Sequence, residues 1–256
     1  MRSESRGRGP VLFLLAHPDD EFGVFPWIEQ AMAEGRQIHL AWMTDGGWGG
    51  QDILRRQHES EKVLTALGVP LTSMCFLGAQ HAFADGGLCN QLDPAIEALR
   101  AHYAGASLDE IIVPAWEGGH PDHDASHLAG LALATELGAA LFQYTLYQGE
   151  GLPGPVFRVL SPMARNGPLL PISVGIGQRL RCILACLQFR SQWKSFVGLL
   201  PFYALKLCFS RHPFVLQPVL PQRTAERPHP GPLLYERRGG PGWEEFAART
   251  APYRHR

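Results

Sequence analysis

VLFLLAHPDDEFG, residues 11–23, runs six apolar residues straight into a histidine, a proline and three consecutive acids. A short continuous apolar run suits a strand covered on both faces. A dense charge cluster at the carboxyl end of such a strand makes physical sense if that end opens onto a ligand. Beyond it, strand-like and helix-like stretches alternate. Residues 24–35 read as a helix stopped by Gly35, 37–44 as a strand closing on Asp45-Gly46-Gly47, and 52–68 as a helix stopped by Gly68. Residues 72–77 read as a third strand and 92–103 as a helix. The run Ile111-Ile112-Val113 marks 109–116 as a buried strand, followed by a helix over 123–138 and a fifth strand over 140–147. Repeated βα units predict an α/β fold, an open, mostly parallel sheet with helices on both faces.

Composition narrows what such a fold can do. The chain has 256 residues, 45% hydrophobic and 18% charged, which suits one globular domain with an extension. Its net charge of -1 supplies no global basic field, so no nucleic-acid partner is expected. No apolar run reaches the roughly 18 residues of a membrane-spanning helix, and the protein reads as cytoplasmic. Five cysteines without a C-x-x-C pair fit reduced, packed thiols. The oligomeric state is open. The first ten residues, rich in Arg, Ser and Gly, read as a flexible tail.

After residue 148 the text changes, since 14 of the 21 prolines lie there and favour short elements. A helix is predicted over 176–190 and turns from Pro213 to the end. The most apolar segment, 193–209, is expected to be interrupted at Pro201 and to cover a flank of the sheet or wall a substrate pocket. The predicted organisation is a tail over 1–10, a catalytic α/β domain over 11–190, and an irregular Pro-rich extension over 191–256 packed on the same domain.

Ligands of an open α/β sheet bind beyond the carboxyl ends of strands, where strand order reverses. His17-Pro18-Asp19-Asp20-Glu21 lies at the end of the first strand, and Glu117-Gly118-Gly119-His120-Pro121-Asp122-His123-Asp124 follows the fourth. In the commonest strand order these two strands are neighbours at the switch point. Together the clusters supply three histidines and several carboxylates. Two imidazoles and one carboxylate suffice for a catalytic divalent metal and leave a position for water.

These residues resemble the PIG-L/LmbE-like zinc-dependent de-N-acetylases, which remove acetyl groups from N-acetylglucosamine-containing substrates. The resemblance rests on AHPDDE at 16–21, HPDH at 120–123, R-x-x-E at 56–59 leading to LGV at 67–69, and a T-x-G turn at 44–46. It covers residues 11 to about 150, with a short echo at Arg190-Ser191-Gln192. Where the family has T-N-G-E, this chain has Thr44-Asp45-Gly46-Gly47. The resemblance implies a Rossmann-like fold and Zn2+ held by His17, Asp20 and His123, with Fe2+ or another divalent ion as alternatives. It further implies Asp19 as general base and His120 as a cationic acid or oxyanion partner, with Asp122 bonded to His120 and keeping it charged. Arg56, Asp45 and Trp48 are the candidate substrate contacts, Trp48 by stacking on a sugar. The implied substrate is a glycoside or glycolipid, which leaves room for peripheral membrane contact. Other readings of the same residues are hydrolysis of a different amide or a phosphoester, iron(II) oxygen chemistry, or a sugar-binding module without turnover.

Overall fold

The computed structural model describes residues 9–254; the tail expected over 1–10 lies almost wholly outside them. The chain builds β1 (Val11–Leu15), α1 (Phe25–Ala33), β2 (Ile38–Trp42), α2 (Ile53–Ala66), β3 (Met74–Cys75), α3 (Leu77–Gln80) and α4 (Leu92–His102). It continues through β4 (Glu110–Pro114), α5 (Pro121–Leu137), β5 (Ala140–Tyr144), β6 (Tyr147–Gln148) and β7 (Arg158–Val159). The last part holds β8 (Leu170–Pro171), α6 (Ile176–Cys186), α7 (Trp193–Phe209), β9 (Val215–Pro218), α8 (Leu234–Arg237) and α9 (Trp243–Arg249).

Seven strands form one sheet in the order β3-β2-β1-β4-β5-β9-β8. The first five run parallel; β9 pairs antiparallel with β5, and β8 with β9. The apolar run of β1 is explained by its two faces. Val11, Phe13 and Leu15 enter a core shared with α1, α2, α6 and α7. Leu12 and Leu14 enter a second core beneath α4, α5, α8 and α9. All five side chains are fully buried, as period-2 alternation between two covered faces requires. β1 and β4 are neighbours, so strand order reverses between them.

Three elements differ from the sequence reading. Helix α5 begins at Pro121 rather than 123, because proline's fixed φ suits a first turn and the His120 ring accepts the Asp122 N–H. Residues 213–254 are not only turns: β9 joins the sheet through backbone pairing with β5, which propensity alone does not reveal. Pro201 does not interrupt α7. It lies on the exposed side of the helix, where the Val197 carbonyl deprived of its donor can meet water.

Close backbone approach fixes the loops around the strand ends. A Cβ at Gly78 would lie 2.2 Å from the Thr44 carbonyl carbon, and one at Gly119 would lie 2.0 Å from the Tyr147 oxygen. Backbone atoms cannot yield as a flexible side-chain tip can. Gly78→Ala should therefore lower stability by about 1–3 kcal/mol, read as a fall in Tm. An unchanged Tm would mean that α3 shifts away from β2 freely.

A buried histidine and carboxylate cluster at the sheet switch point

The chain leaves β1 through a short turn into a one-turn 3-10 helix, residues 20–23, and this turn orders the AHPDDE residues. One oxygen of Asp20 accepts the backbone N–H groups of Ala16 (3.1 Å) and His17 (2.9 Å). Its other oxygen lies 3.2 Å from His123 Nε2, at the start of α5. Asp19 takes φ 123°, a left-handed backbone that a non-glycine residue holds only when its surroundings impose it. The imposing contact is Glu21, whose carboxylate accepts the Asp19 N–H at 2.7 Å. Each acid of the run thus has a separate physical task.

His17, His120 and His123 gather with ring centroids 4.6–5.3 Å apart. Their donor atoms lie within 4.8 Å of one another, and so do those of His17, Asp85 and Asp122. Asp20 stands against both His17 (3.4 Å) and His123. The cluster is buried, with His123 1% exposed and Asp122 0%. Burial pushes the Asp20 carboxyl up, but the charges of His123 and His17 and the hydrogen bond from His17 outweigh it and hold it well below the usual range. Burial likewise opposes protonation of His17, yet Asp85, Asp122 and Asp20 raise it well above its ordinary value. A divalent cation fits this surplus of carboxylates. The chief structural sign is His123: its Nδ1 has no hydrogen-bond partner and its Nε2 meets only the Asp20 oxygen at 3.2 Å without hydrogen-bond alignment, a costly state for a buried imidazole that coordination would relieve.

Asp19 is pushed up to about 7, first by burial, against the Arg56 guanidinium 3.5 Å away and with the Asp20 charge adding to the rise. His120 is pushed down to about 4 by burial and by the neighbouring His17. The expected hydrogen bond between His120 and the Asp122 carboxylate is absent, and the Asp122 charge raises His120 too little to offset burial. The Asp122 carboxylate instead accepts from Gly86 N (2.6 Å) and Leu88 N (3.0 Å) and faces His17 Nε2 at 3.1 Å. It is held by a loop that sequence patterning leaves blank. Since His120 Nδ1 accepts the Asp122 N–H at 3.3 Å, the proton of the neutral ring sits on Nε2.

A cavity of about 360 Å³ opens over the cluster. Arg56 lines it, but most of its donors are already engaged. It bonds Gly46 O (2.6 Å), Pro18 O (2.8 Å) and Asp85 (3.0 Å), clasping three loops. Trp48 reaches the cavity and is 65% exposed, available for stacking. Asp45 does not line it; its carboxylate accepts from Gly47 N and Asp85 N and shapes the loop instead. Asp85, Tyr147, Gln192 and Arg238 were not singled out by sequence reasoning. The only available signal was the Arg190-Ser191-Gln192 echo. Glu59, the acid of R-x-x-E, accepts from Ser191 N and Oγ and seats Gln192 in the cavity wall. Two acids behind the cluster serve the loops. Glu117 accepts from Leu146 N and Tyr147 N, and Asp124, pushed up to about 8 by burial, accepts from Glu117 N and Gly118 N.

His123→Ala should reduce bound divalent metal at least tenfold while leaving Tm measurable and cooperative, because the cluster lies outside the packed sheet. Stoichiometric metal in purified His123→Ala would remove this ring from the ligand set.

Residues 12–134 match the family model described as PIG-L: GlcNAc-PI de-N-acetylase. No curated protein matches the chain in sequence. Among solved structures, a triple mutant of a deacetylase of the teicoplanin pathway is 20% identical, with TM-score 0.63, covering 82% of this chain and 98% of the other. The zinc-inhibited form of teicoplanin deacetylase gives TM-score 0.61 at 17% identity, with the same coverage. N,N'-diacetylchitobiose deacetylase from Pyrococcus horikoshii gives TM-score 0.55 at 19% identity over 82% of this chain and 84% of that one. At these identities the likeness is one of fold. Family model, strand order and motif positions agree over residues 12–134, where the chain matches the PIG-L domain.

Proposed function

We propose that the protein is a metal-dependent hydrolase of the N-acetyl amide of an N-acetylglucosamine-containing glycoside or glycolipid, releasing acetate and a free amine. The observation that carries this reading is the Asp19 carboxyl, held at a strained backbone 3.5 Å from Arg56 and directly before Asp20 at the buried histidine cluster. The family description and the deacetylase neighbours support it.

In this reading His17, Asp20 and His123 hold the metal, zinc being the first candidate. A bound divalent ion supplies Lewis acidity and a lowered water pKa. Asp19 takes the proton of the attacking water. Its pKa near neutrality makes the resulting carboxylic acid a competent donor, so the same group returns that proton to the departing nitrogen as the C–N bond breaks. Neutral His120 offers its Nε2–H to the carbonyl oxygen as negative charge builds there. Asp122 acts through His17, by fixing that ring, and not through His120. Trp48 and Arg56 face the sugar, Arg56 chiefly by keeping the loops in place. That Phe196, Leu199 and residues 238–241 line the cavity supports a part for the chain after residue 190 in substrate recognition.

The test is acetate release from a panel of N-acetylated sugars, with metal-free protein and after graded addition of zinc or iron(II). Grading matters because a relative has a zinc-inhibited form. Asp19→Asn should keep its metal and lose activity by about 10²-fold or more, and His120→Ala should behave similarly. Loss of metal in Asp19→Asn would exchange the roles of Asp19 and Asp20. No acetate from any sugar under any metal would overturn the reading.

The sign of the pH dependence follows from Asp19. As base it must be ionised, so kcat/KM should rise with pH and level off, with a midpoint at or below about 7 because a bound cation favours the ionised form. His120 stays neutral across that range, so His120→Ala should lower the plateau and leave the midpoint in place.

A further inference from the structure

Residues 151–225 contain nine Lys and Arg and no Asp or Glu, in a chain whose net charge is -1. Five of these cations are spent. Arg158 and Arg165 bind Glu150, Arg181 pairs with Glu29, Arg223 with Glu226, and Arg179 holds backbone carbonyls. Among the described residues Arg190, Lys194, Lys206 and Arg211 have no ion pair, and all four lie at the α6–α7 junction, within α7 or just past its end, Lys206 half-buried and the other three exposed. The same two helices carry the exposed apolar surface. Of 14 large apolar side chains exposed among the described residues, nine lie between Ile176 and Phe209. On α6, Ile176, Leu180, Leu184 and Leu187 recur at helical spacing on one face, while Cys182 and Cys186 turn inward. On α7, Trp193 (60% exposed), Val197 (67%), Leu205 and Phe209 (83%) face out, opposite buried Phe196, Leu199, Tyr203 and Leu207.

We infer that the α6–α7 face is a docking surface for an anionic lipid bilayer. An amphipathic pair of this length cannot span a membrane, and no helix among the described residues is long and apolar enough to do so. Lying in the interface, its apolar side chains enter the acyl boundary while the exposed cations Arg190, Lys194 and Arg211 meet acidic headgroups. A second copy of the chain is disfavoured as occupant. A two-fold interface would set this acid-free cationic face against itself, bringing like charges together with no anion of the segment between them. The face is also continuous with the cavity. Phe202 contacts Phe157 at 6.0 Å between centroids, Phe157 contacts Tyr147 at 5.7 Å, and Tyr147 lines the cavity with Phe196 and Leu199 of α7. Docking would therefore bring the cavity mouth to the membrane surface, where a lipid-linked N-acetylated sugar is presented. That last step rests on the proposed function; the docking itself does not.

The experiment is co-sedimentation of the full chain with phosphatidylcholine vesicles, with and without about 30% phosphatidylglycerol, for the wild type, Val197→Glu and Phe209→Ser. The wild type should bind the anionic vesicles, and raising salt to about 0.5 M should weaken binding at least fivefold. Both variants should bind at least tenfold less, while retaining the wild-type rate of acetate release from a water-soluble N-acetylated sugar. Asp19→Asn should bind vesicles normally, which separates failure of docking from failure of the proposed hydrolysis. Absence of anionic-vesicle binding, or binding that neither variant weakens, would overturn the inference. So would light scattering that shows a wild-type dimer made monomeric by Val197→Glu.

Discussion

The Asp20 carboxylate is the contact on which the site depends. One of its oxygens closes the turn after β1 by accepting two successive backbone N–H groups, and the other faces the imidazole at the start of α5. Two segments separated by about a hundred residues are thereby fixed at the same height above the sheet. The arrangement is costly by itself, because several carboxylates share one buried space and His123 Nδ1 has no hydrogen-bond partner. Such a cost is tolerable where a cation completes the charge balance. The strain at Asp19 belongs to the same economy of the site: the turn that lets Asp20 face inward leaves its neighbour in the left-handed region, with Glu21 holding it there.

A second set of contacts carries rigidity outward from that turn. Arg56 reaches from α2 to the loops after β1, β2 and α3, so its fork replaces three separate tethers with one planar group. Glu59, one turn further along α2, reaches in the other direction and anchors Ser191. The R-x-x-E spacing thus places two oppositely charged side chains on one helix face with different partners. One belongs to the loops after β1, β2 and α3 and the other to the start of the C-terminal wall. This division explains why a motif that looks like a plain solvated helix surface is buried.

Legibility in the sequence tracked the range of the interactions involved. The five parallel strands were readable because a strand covered on both faces must be apolar at consecutive positions, and Val11–Leu15 obeys that rule without exception. The switch point followed from placing two charged loops at strand ends. Asp85 was invisible because nothing local distinguishes it from any acid in a glycine-rich turn; only the folded chain brings it 3.2 Å from His17. The misplaced partnership of Asp122 has the same origin. Proximity in sequence suggested His120, whereas a helix start turns residues 120 and 122 in different directions. Strand β9 escaped notice because it is an antiparallel addition whose pairing is supplied by β5, and α7 because tolerance of Pro201 depends on which side of the helix meets water.

The C-terminal region is best understood through the three separate faces of α7. One buries Phe196, Leu199, Tyr203 and Leu207 in the core on the α1 side of the sheet, which secures the helix to the sheet. An edge carrying Ser195, Phe196 and Leu199 borders the cavity. The remaining arc is exposed and almost wholly apolar. Packing explains the first face and the cavity the second, but neither explains the third, because a helix gains nothing by leaving Trp193, Val197, Leu205 and Phe209 in water. Apolar exposure on that scale, in a segment that also lacks every acidic side chain, is a physical demand for a partner that is both apolar and anionic.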